Sequence, residues 1–349
     1  MNANDNPGPG VAVARSLRHE PAFAGRIIGL SYDPLDAGFH AESLLDGAAI
    51  LPYPSTGEHA FLARLLELHQ HFGFRALIPT LDSELRAAVA LAPQLHAAGI
   101  GTFLPTLEAI ERASKSHLPR LGAAAGVLVP DSESIVTVEM IPKLVKRFGL
   151  PLVIKGVYYG AYVAQSEADA IAAFRYYEST WGTPVVVQRH IKGEEYNVCA
   201  VGDGRGNTIG AVAMRKLSLT DKGKGWAGVT VANPDLITLT ECVIDSLKWR
   251  GPLEVEVLVE SAGERRGKVQ IIEINPRFPA WVYLTAAAGQ NLPYVCALLA
   301  LGETIPAALP PYQAGRLFVR IALDQIADLA SYGQLSATGL LDHPTAGSS

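Results

Sequence analysis

The sequence predicts a mixed architecture: an open parallel α/β domain, then a small α+β unit, then a larger unit built on antiparallel strands. Three observations carry that expectation. Short apolar strands alternate with helix-period segments over residues 1–113, the pattern of a parallel sheet covered by helices. Residues 114–187 repeat strands and helices in a stretch too short to bury a core alone, so they are expected to work as a lid. From residue 188 to 310, alternating strands are joined by glycine-containing turns, which marks antiparallel pairing. Residues 311–349 read as a C-terminal extension.

Composition narrows the function classes. Hydrophobic residues make up 49% and charged residues 18% of the 349 positions, enough for a sizeable core, with disorder expected only at the ends. The net charge is −5, without a basic stripe, which argues against a nucleic-acid partner. Cys199, Cys242 and Cys296 lie far apart with no CxxC spacing and read as buried small hydrophobes in a reducing compartment. Met1 to Gly10 is polar and rich in proline and glycine, and no apolar run reaches spanning length. A cytoplasmic protein with no membrane partner is the expectation.

Along the chain, Val11 to Arg18 has helical spacing, and Arg26 to Ser31 is an apolar strand followed by a turn at Asp33-Pro34. Phe61, Leu62, Leu65, Leu66 and Leu68 give Glu58 to Phe72 a helix period. Ala76 to Pro79 is the next expected strand, and Glu84 to Leu95 the next helix. Ligands of open parallel sheets sit at the carboxyl ends of strands, so Asp82, Ser83 and Glu84 are candidate substrate contacts; the same residues also read as a helix N-cap. No GxGxxG follows a strand, and Gly202, Gly204 and Gly206 read as a hairpin turn between Tyr196–Val201 and Thr208–Ala213. In the lid, a helix is expected from Ser114 to about Gly122, and another from Val138 to Phe148, ended by Gly149. Leu152 to Lys155 and Pro184 to Gln188 read as strands, and Ser166 opens a capping box before a helix to Thr180.

The chemistry concentrates in Ile271 to Arg277. Strand alternation sends Glu273 and Asn275 to one face and Ile272 and Ile274 to the other. Leu253 to Val259 alternates too, and the polar turn Ser261 to Lys268 folds it back on Val269 to Ile272, which sets Glu256 beside Glu273. Paired carboxylates repel by several kcal/mol at low dielectric unless a cation lies between them. Oxygen donors of this kind suit Mg²⁺, and Arg277, past Pro276, reaches anionic oxygens held there. The plainer alternative is a solvated strand end closed by an Asn-Pro turn. Lys115, ahead of the lid, and Lys155, ending an apolar strand inside it, stand where phosphates would be gripped.

Taken in order, Lys115, Leu152 to Lys155, Gln188 to Ile191, Glu195, Glu256 and Glu273 to Arg277 resemble the ATP-grasp superfamily, and within it the large-subunit halves of carbamoyl-phosphate synthetase. The resemblance covers roughly residues 26–305. It implies an N-terminal pre-ATP-grasp domain, an ATP-grasp lid and an ATP-grasp catalytic subdomain. It implies ATP held by Lys115 and Lys155 at its phosphates, by Gln188, Arg189, His190 and Ile191 at the adenine, by Glu195 at the ribose, and over Leu258 and Ile272. Mg²⁺ or Mn²⁺ would be held by Glu256, Glu273 and Asn275, with Arg277 stabilising the transferring oxygen; Lys216, in the basic segment that follows, is a further candidate for that role. The glycine-rich phosphate loop of many members reads Gly156-Val157-Tyr158-Tyr159-Gly160-Ala161-Tyr162 here. The basic segment Arg215 to Trp226 either replaces its anion contacts or is a solvated loop. Leu317 to Leu323 reads as an added strand and Ala346 to Ser349 as a disordered end.

The implied activity is an ATP-dependent ligase that activates a small-molecule or peptide carboxylate as an acylphosphate and couples it to an amine. A kinase that stops at phosphoryl transfer and a nucleotide-binding scaffold are the alternatives. Phe278 to Trp281 is a second candidate lining for the acceptor, and a homodimer is the expected assembly.

Overall fold

The structure, a computed structural model, describes residues 8–343 except 42, 157–159, 221–223, 264, 306–307 and 323. Tyr158, Tyr159 and the end from Ala346 to Ser349 lie outside the described residues.

Helix α1 (Pro9–His19) leads to β1 (Ile28–Ser31), which pairs in parallel with β2 (Gly47–Ile50), as the alternating pattern requires. Helix α2 (Glu58–Phe72) has the expected bounds and buries Phe61, Leu65, Leu68 and Phe72. The strand expected at Ala76 to Pro79 is reduced to one parallel bridge between Ala76 and Gly101; Pro79 has no N–H to extend a ladder. The single helix expected from Glu84 to Leu95 is two, α3 (Asp82–Ala90) and α4 (Ala92–Ala97), because Pro93 removes a donor and disfavours a continuous turn. Thr106 caps α5 (Leu107–Arg112) through the Ala109 N–H. Helix α6 (Leu118–Ala125) starts later than expected: Ser114 to His117 form a turn, with Ser114 Oγ 2.9 Å from His117 Nδ1. Lys115 therefore projects from a turn and not from a helix.

The stretch expected to be a lid holds β3 (Ser132–Ile135), α7 (Ile141–Phe148), β4 (Leu152–Lys155), β5 (Ala161–Ala164), α8 (Glu167–Trp181) and β6 (Val185–Arg189). Its strands run β3-β6-β4-β5, all antiparallel. Ile141, Leu144, Ile154, Phe174 and Val187 fill a core of its own. The capping box at the start of α8 is present, with Ser166 Oγ accepting from Asp169 N–H.

The larger sheet runs β11-β10-β7-β8-β9-β12. It is built from β7 (Gly193–Asp203), β8 (Thr208–Leu219), β9 (Gly225–Thr230), β10 (Arg250–Glu260), β11 (Val269–Asn275) and β12 (Leu317–Val319), with α9 (Pro234–Leu247), α10 (Tyr283–Ala287) and α11 (Leu292–Ala300) packed on it. Gly204 and Gly206 take positive φ in the β7–β8 turn, as their hairpin reading requires. The basic segment from Arg215 to Trp226 is mostly paired strand, since β8 continues to Leu219 and β9 begins at Gly225. The extension is not separate from the core: α12 (Leu329–Thr338) and β13 (Leu340–Asp342) return to the N-terminal sheet, where β13 pairs antiparallel with β2. Leu335 and Leu341 are buried there, a closure between segments some 290 residues apart that no local pattern signals. Among the described residues, no helix is long and apolar enough to cross a membrane.

Period-two alternation decides what the large sheet buries. Val198, Ala200, Leu253, Val255 and Val257 face a core with α9, each side chain contributing about 1.5–3 kcal/mol on burial. The opposite face divides in two. Cys199, Val201 and Met214 pack against α10, α11 and α1 at one end, and the polar residues lie at the other, where the lid approaches.

Candidate functional site

In the β10–β11 ladder Glu254 faces Asn275 and Glu256 faces Glu273, so the opposed Cβ atoms are about 5 Å apart. The two carboxylates expected to be adjacent are adjacent. The register then shifts between Glu256 and Val257, and Ile271, not Ile272, pairs with Val257. Such a bulge inserts one residue and slips the alternation. Ile271 and Ile274 are consequently buried in one core, whereas Ile272 is half-buried and outside it. This corrects the simple alternation, which placed Ile272 with Ile274 away from Glu273.

Three lysines converge here. Lys115 Nζ lies 3.2 Å from Glu273 Oε1. Lys216 Nζ bridges Glu256 Oε2 and Glu195 Oε2, both at 2.9 Å. Lys155, 5% exposed, donates to the Ile272 carbonyl oxygen at 3.0 Å. Burial pushes the Lys155 ammonium below its ordinary value; Glu273 opposes that and Lys115 adds to it. Burial also acts against Lys216, but Glu256 and Glu195 outweigh it and raise that group. One buried lysine is thus clamped, and the other is held chiefly by a backbone dipole.

The carboxylates divide similarly. Burial works to raise Glu256, but Lys216, Asn275 and Arg277 overcome it and leave the group low. Burial and the neighbouring Glu256 push Glu254 up, so the two neighbouring carboxyls are shifted in opposite directions. Asn275 Nδ2 donates to Glu254 Oε2 and Glu256 Oε1, both at 3.0 Å. Both acceptors are carboxylates, so the amide nitrogen faces them and the amide oxygen is left to act as a ligand. Two carboxylates and an amide oxygen form a hard-donor set that fits Mg²⁺. Among the described residues no three His, Cys, Asp or Glu side chains gather into a complete metal cage; Mg²⁺ takes its remaining ligands from phosphate and water.

Glu254 is the residue that sequence reasoning missed. It accepts from Trp281 Nε1 at 2.6 Å and from Asn197 Nδ2, so Trp281 is buried as an anchor for this carboxylate. The signal was available, since Glu254 is two residues from Glu256 and must share its face. Arg277 Nε donates to Asp82 Oδ2 at 3.0 Å and Nη1 lies 3.9 Å from Glu254 Oε2, which joins the N-terminal domain to the end of β11. Of the three candidate substrate contacts, Asp82 reaches the site through Arg277. Glu84 is instead a cap: its Oε1 accepts from the Thr80 and Leu81 N–H groups. Ser83 is exposed.

Gln188 and Arg189 end β6, with Gln188 buried; His190 is half-buried and Ile191 buried. The Arg189 guanidinium reaches Glu260 Oε1 at 3.3 Å and Asp131 Oδ2 at 3.5 Å, so its side chain ties lid to sheet and leaves recognition to the backbone. Gly193 opens β7 so close to β10 that a Cβ there would lie 2.5 Å from the Val259 oxygen. Leu258 is half-buried two residues beyond Glu256, on the face that carries the charges.

Lysines, paired carboxylates and an arginine thus gather where the four-stranded sheet meets the six-stranded one. Residues 182–320 match the family described as ATP-grasp in the biosynthetic pathway with Ter operon. The chain is 27% identical over 218 residues to a phosphoribosylamine–glycine ligase of a Synechocystis species, covering 56% of this chain and 51% of that one. With the carbamoyl phosphate synthase large chain of Gemmatimonas aurantiaca it shares 25% identity over 240 residues, 64% of this chain and 22% of that one. The biotin carboxylase domain of the Hydrogenobacter thermophilus 2-oxoglutarate carboxylase, solved with MgADP, ADP and bicarbonate, has the same fold. It superposes with a TM-score of 0.69 at 16% identity, over 88% of this chain and 71% of that one. The chain spans about half the length of the phosphoribosylamine–glycine ligases it matches.

Proposed function

We propose that the protein is an ATP-dependent, Mg²⁺- or Mn²⁺-requiring ligase that activates a carboxylate and joins it to an amine. The observation that carries this is the β10–β11 pair, where Lys115 meets Glu273, Lys216 meets Glu256, Asn275 donates to Glu256 and Arg277 approaches Glu254, with Lys155 arriving from the lid. The ATP-grasp match and the ligase activity named for the Synechocystis relative support it.

In this reading residues 114–187 are the lid, and Lys115 and Lys155 hold the nucleotide phosphates. The strand end from Gln188 to Ile191 meets the adenine, Leu258 and Ile272 lie beneath it, and Glu195 meets the ribose. Glu256, Glu273 and Asn275 would hold the divalent ion, whose charge, when bound, steadies the triphosphate oxygens. Arg277 and Lys216 stabilise charge on the transferring oxygens. The γ-phosphoryl group passes to a carboxylate oxygen with ADP leaving, and an amine then displaces phosphate from the acylphosphate. Lys115 and Lys216, now paired with Glu273 and Glu256, would be free to meet phosphate once a bound divalent ion neutralised those carboxylates.

A panel of carboxylates and amines tests the proposal through ADP and phosphate release. A ligase shows turnover that needs both partners and yields an amide. A stable phosphorylated product formed without an amine would sink this reading in favour of a kinase. Sedimentation checks whether the chain is a homodimer, the assembly stated for the carboxylase relative.

A further inference from the structure

The geometry points to a second subsite, on the N-terminal side of Arg277, that takes an amine bearing a flat group against the stacked pair Tyr32 and Tyr53; only its role as nucleophile site rests on the ligase reading above. Three segments end at this place. Tyr32 follows β1, Tyr53 lies just beyond β2, and Asp82 and Glu84 follow Ala76 to Pro79. Ligands of open α/β sheets sit at such strand ends.

The two tyrosine rings lie 5.0 Å apart at 12°, stacked. Tyr32 is pinned, its hydroxyl donating to Glu84 Oε2 at 2.7 Å, while the other Glu84 oxygen holds the Thr80 and Leu81 N–H groups. Burial and Glu84 keep the Tyr32 phenol well above its ordinary titration range, so it remains a donor. Tyr53 is 59% exposed: one face rests on a fixed ring, which orients the other for a ligand. Within one turn of α3, Asp82 meets Arg277 at 3.0 Å, so the platform adjoins the group assigned to the transferring phosphoryl.

Charge selects the occupant. A tyrosine ring face attracts a cation or an ammonium group, and Glu84, bound to the Tyr32 hydroxyl, adds a carboxylate at the edge of the stack, while Asp82 is paired with Arg277. A carboxylate arriving at the stack would meet Glu84, whereas on the β10–β11 side it meets lysines. The flat-group requirement follows from the ring face, which rewards planar contact beyond its area.

Benzylamine, cyclohexylmethylamine and phenylacetate separate the elements of this proposal in calorimetric titrations of the protein with Mg²⁺ and a non-hydrolysable ATP analogue. Wild type binds benzylamine more tightly than either other probe. Tyr53→Ala weakens benzylamine roughly five- to tenfold, and Tyr53→Phe leaves it within about twofold. Equal benzylamine affinity in Tyr53→Ala, preference for phenylacetate, or no benzylamine binding to wild type each overturns the subsite. A fluorescent ATP analogue titrated on the same samples reports the nucleotide site separately. Absent nucleotide binding with benzylamine binding intact sinks the ligase reading alone; the reverse sinks the subsite alone.

Discussion

The six-stranded and four-stranded sheets hold their charges differently. On the six-stranded sheet Glu256 is clamped by Lys216 and Asn275, Glu254 by Trp281, Asn197 and Asn275, and Glu273 by Lys115. The four-stranded sheet sends Lys155 across, bonded to the Ile272 carbonyl oxygen, over a core that it shares with neither neighbour. The larger sheet is therefore preorganised, because moving any of its charges strands a buried partner. Lys155, bonded to one backbone carbonyl oxygen, has fewer partners to strand.

The largest effect that sharpens this contrast is Glu273→Ala. Phosphate release should fall about a thousandfold, while the melting temperature stays within a few degrees, because Glu273 lies at the rim with its side chain 29% exposed. Unchanged turnover in a folded variant would refute the metal assignment. Lys155→Met should weaken nucleotide binding roughly ten- to a hundredfold without loss of stability. Its ammonium lies below the ordinary 10.5, so the unfolded chain holds the proton more tightly between the folded value and 10.5. Wild-type stability consequently rises with pH across that window, and the variant should lack the rise in urea titrations at stepped pH.

Lys216→Met tests the clamped side. It leaves Glu256 buried without its main cation and should cost about 2 kcal/mol in urea unfolding at neutral pH. The Glu256 carboxyl lies below its ordinary 4.5, so the ion pair contributes fully above pH 4.5 and is lost as pH falls through the lower folded value. The gap between wild type and variant should close on that acid side; a constant gap would mean that Lys216 acts by packing alone. Asp82→Asn should have the smallest effect. Asp82 is 29% exposed, so screening limits its hold on Arg277. A two- to fivefold fall in turnover, roughly, with nucleotide affinity unchanged, is expected.

Legibility followed the range of the interaction. Helix α2, strand β4 and the Ser166 cap stand where expected because their signals are local: apolar spacing, an apolar run between breakers, and a hydroxyl three residues before an acid. Glu256 beside Glu273 was readable because the alternating apolar faces of the two strands restrict their register. Ile272 was misplaced because a bulge depends on the partner strand. Asp82 and Arg277, 195 residues apart, carry no mark of each other.

What the sequence determined by itself was the inventory and its alternation: Glu254 and Glu256 two residues apart in β10, an amide two residues beyond Glu273, a lysine at the end of an apolar strand. Side-chain direction in a strand follows from backbone geometry alone, so those facts hold before any folding. Only the tertiary structure decided which carboxyl is shifted up and which down, where the register slips, and that the last described residues close the first sheet. Each of those depends on burial and on groups brought together from distant parts of the chain. Electrostatic energy in a low-dielectric interior is set by distance and solvent access, and neither is written in residue order.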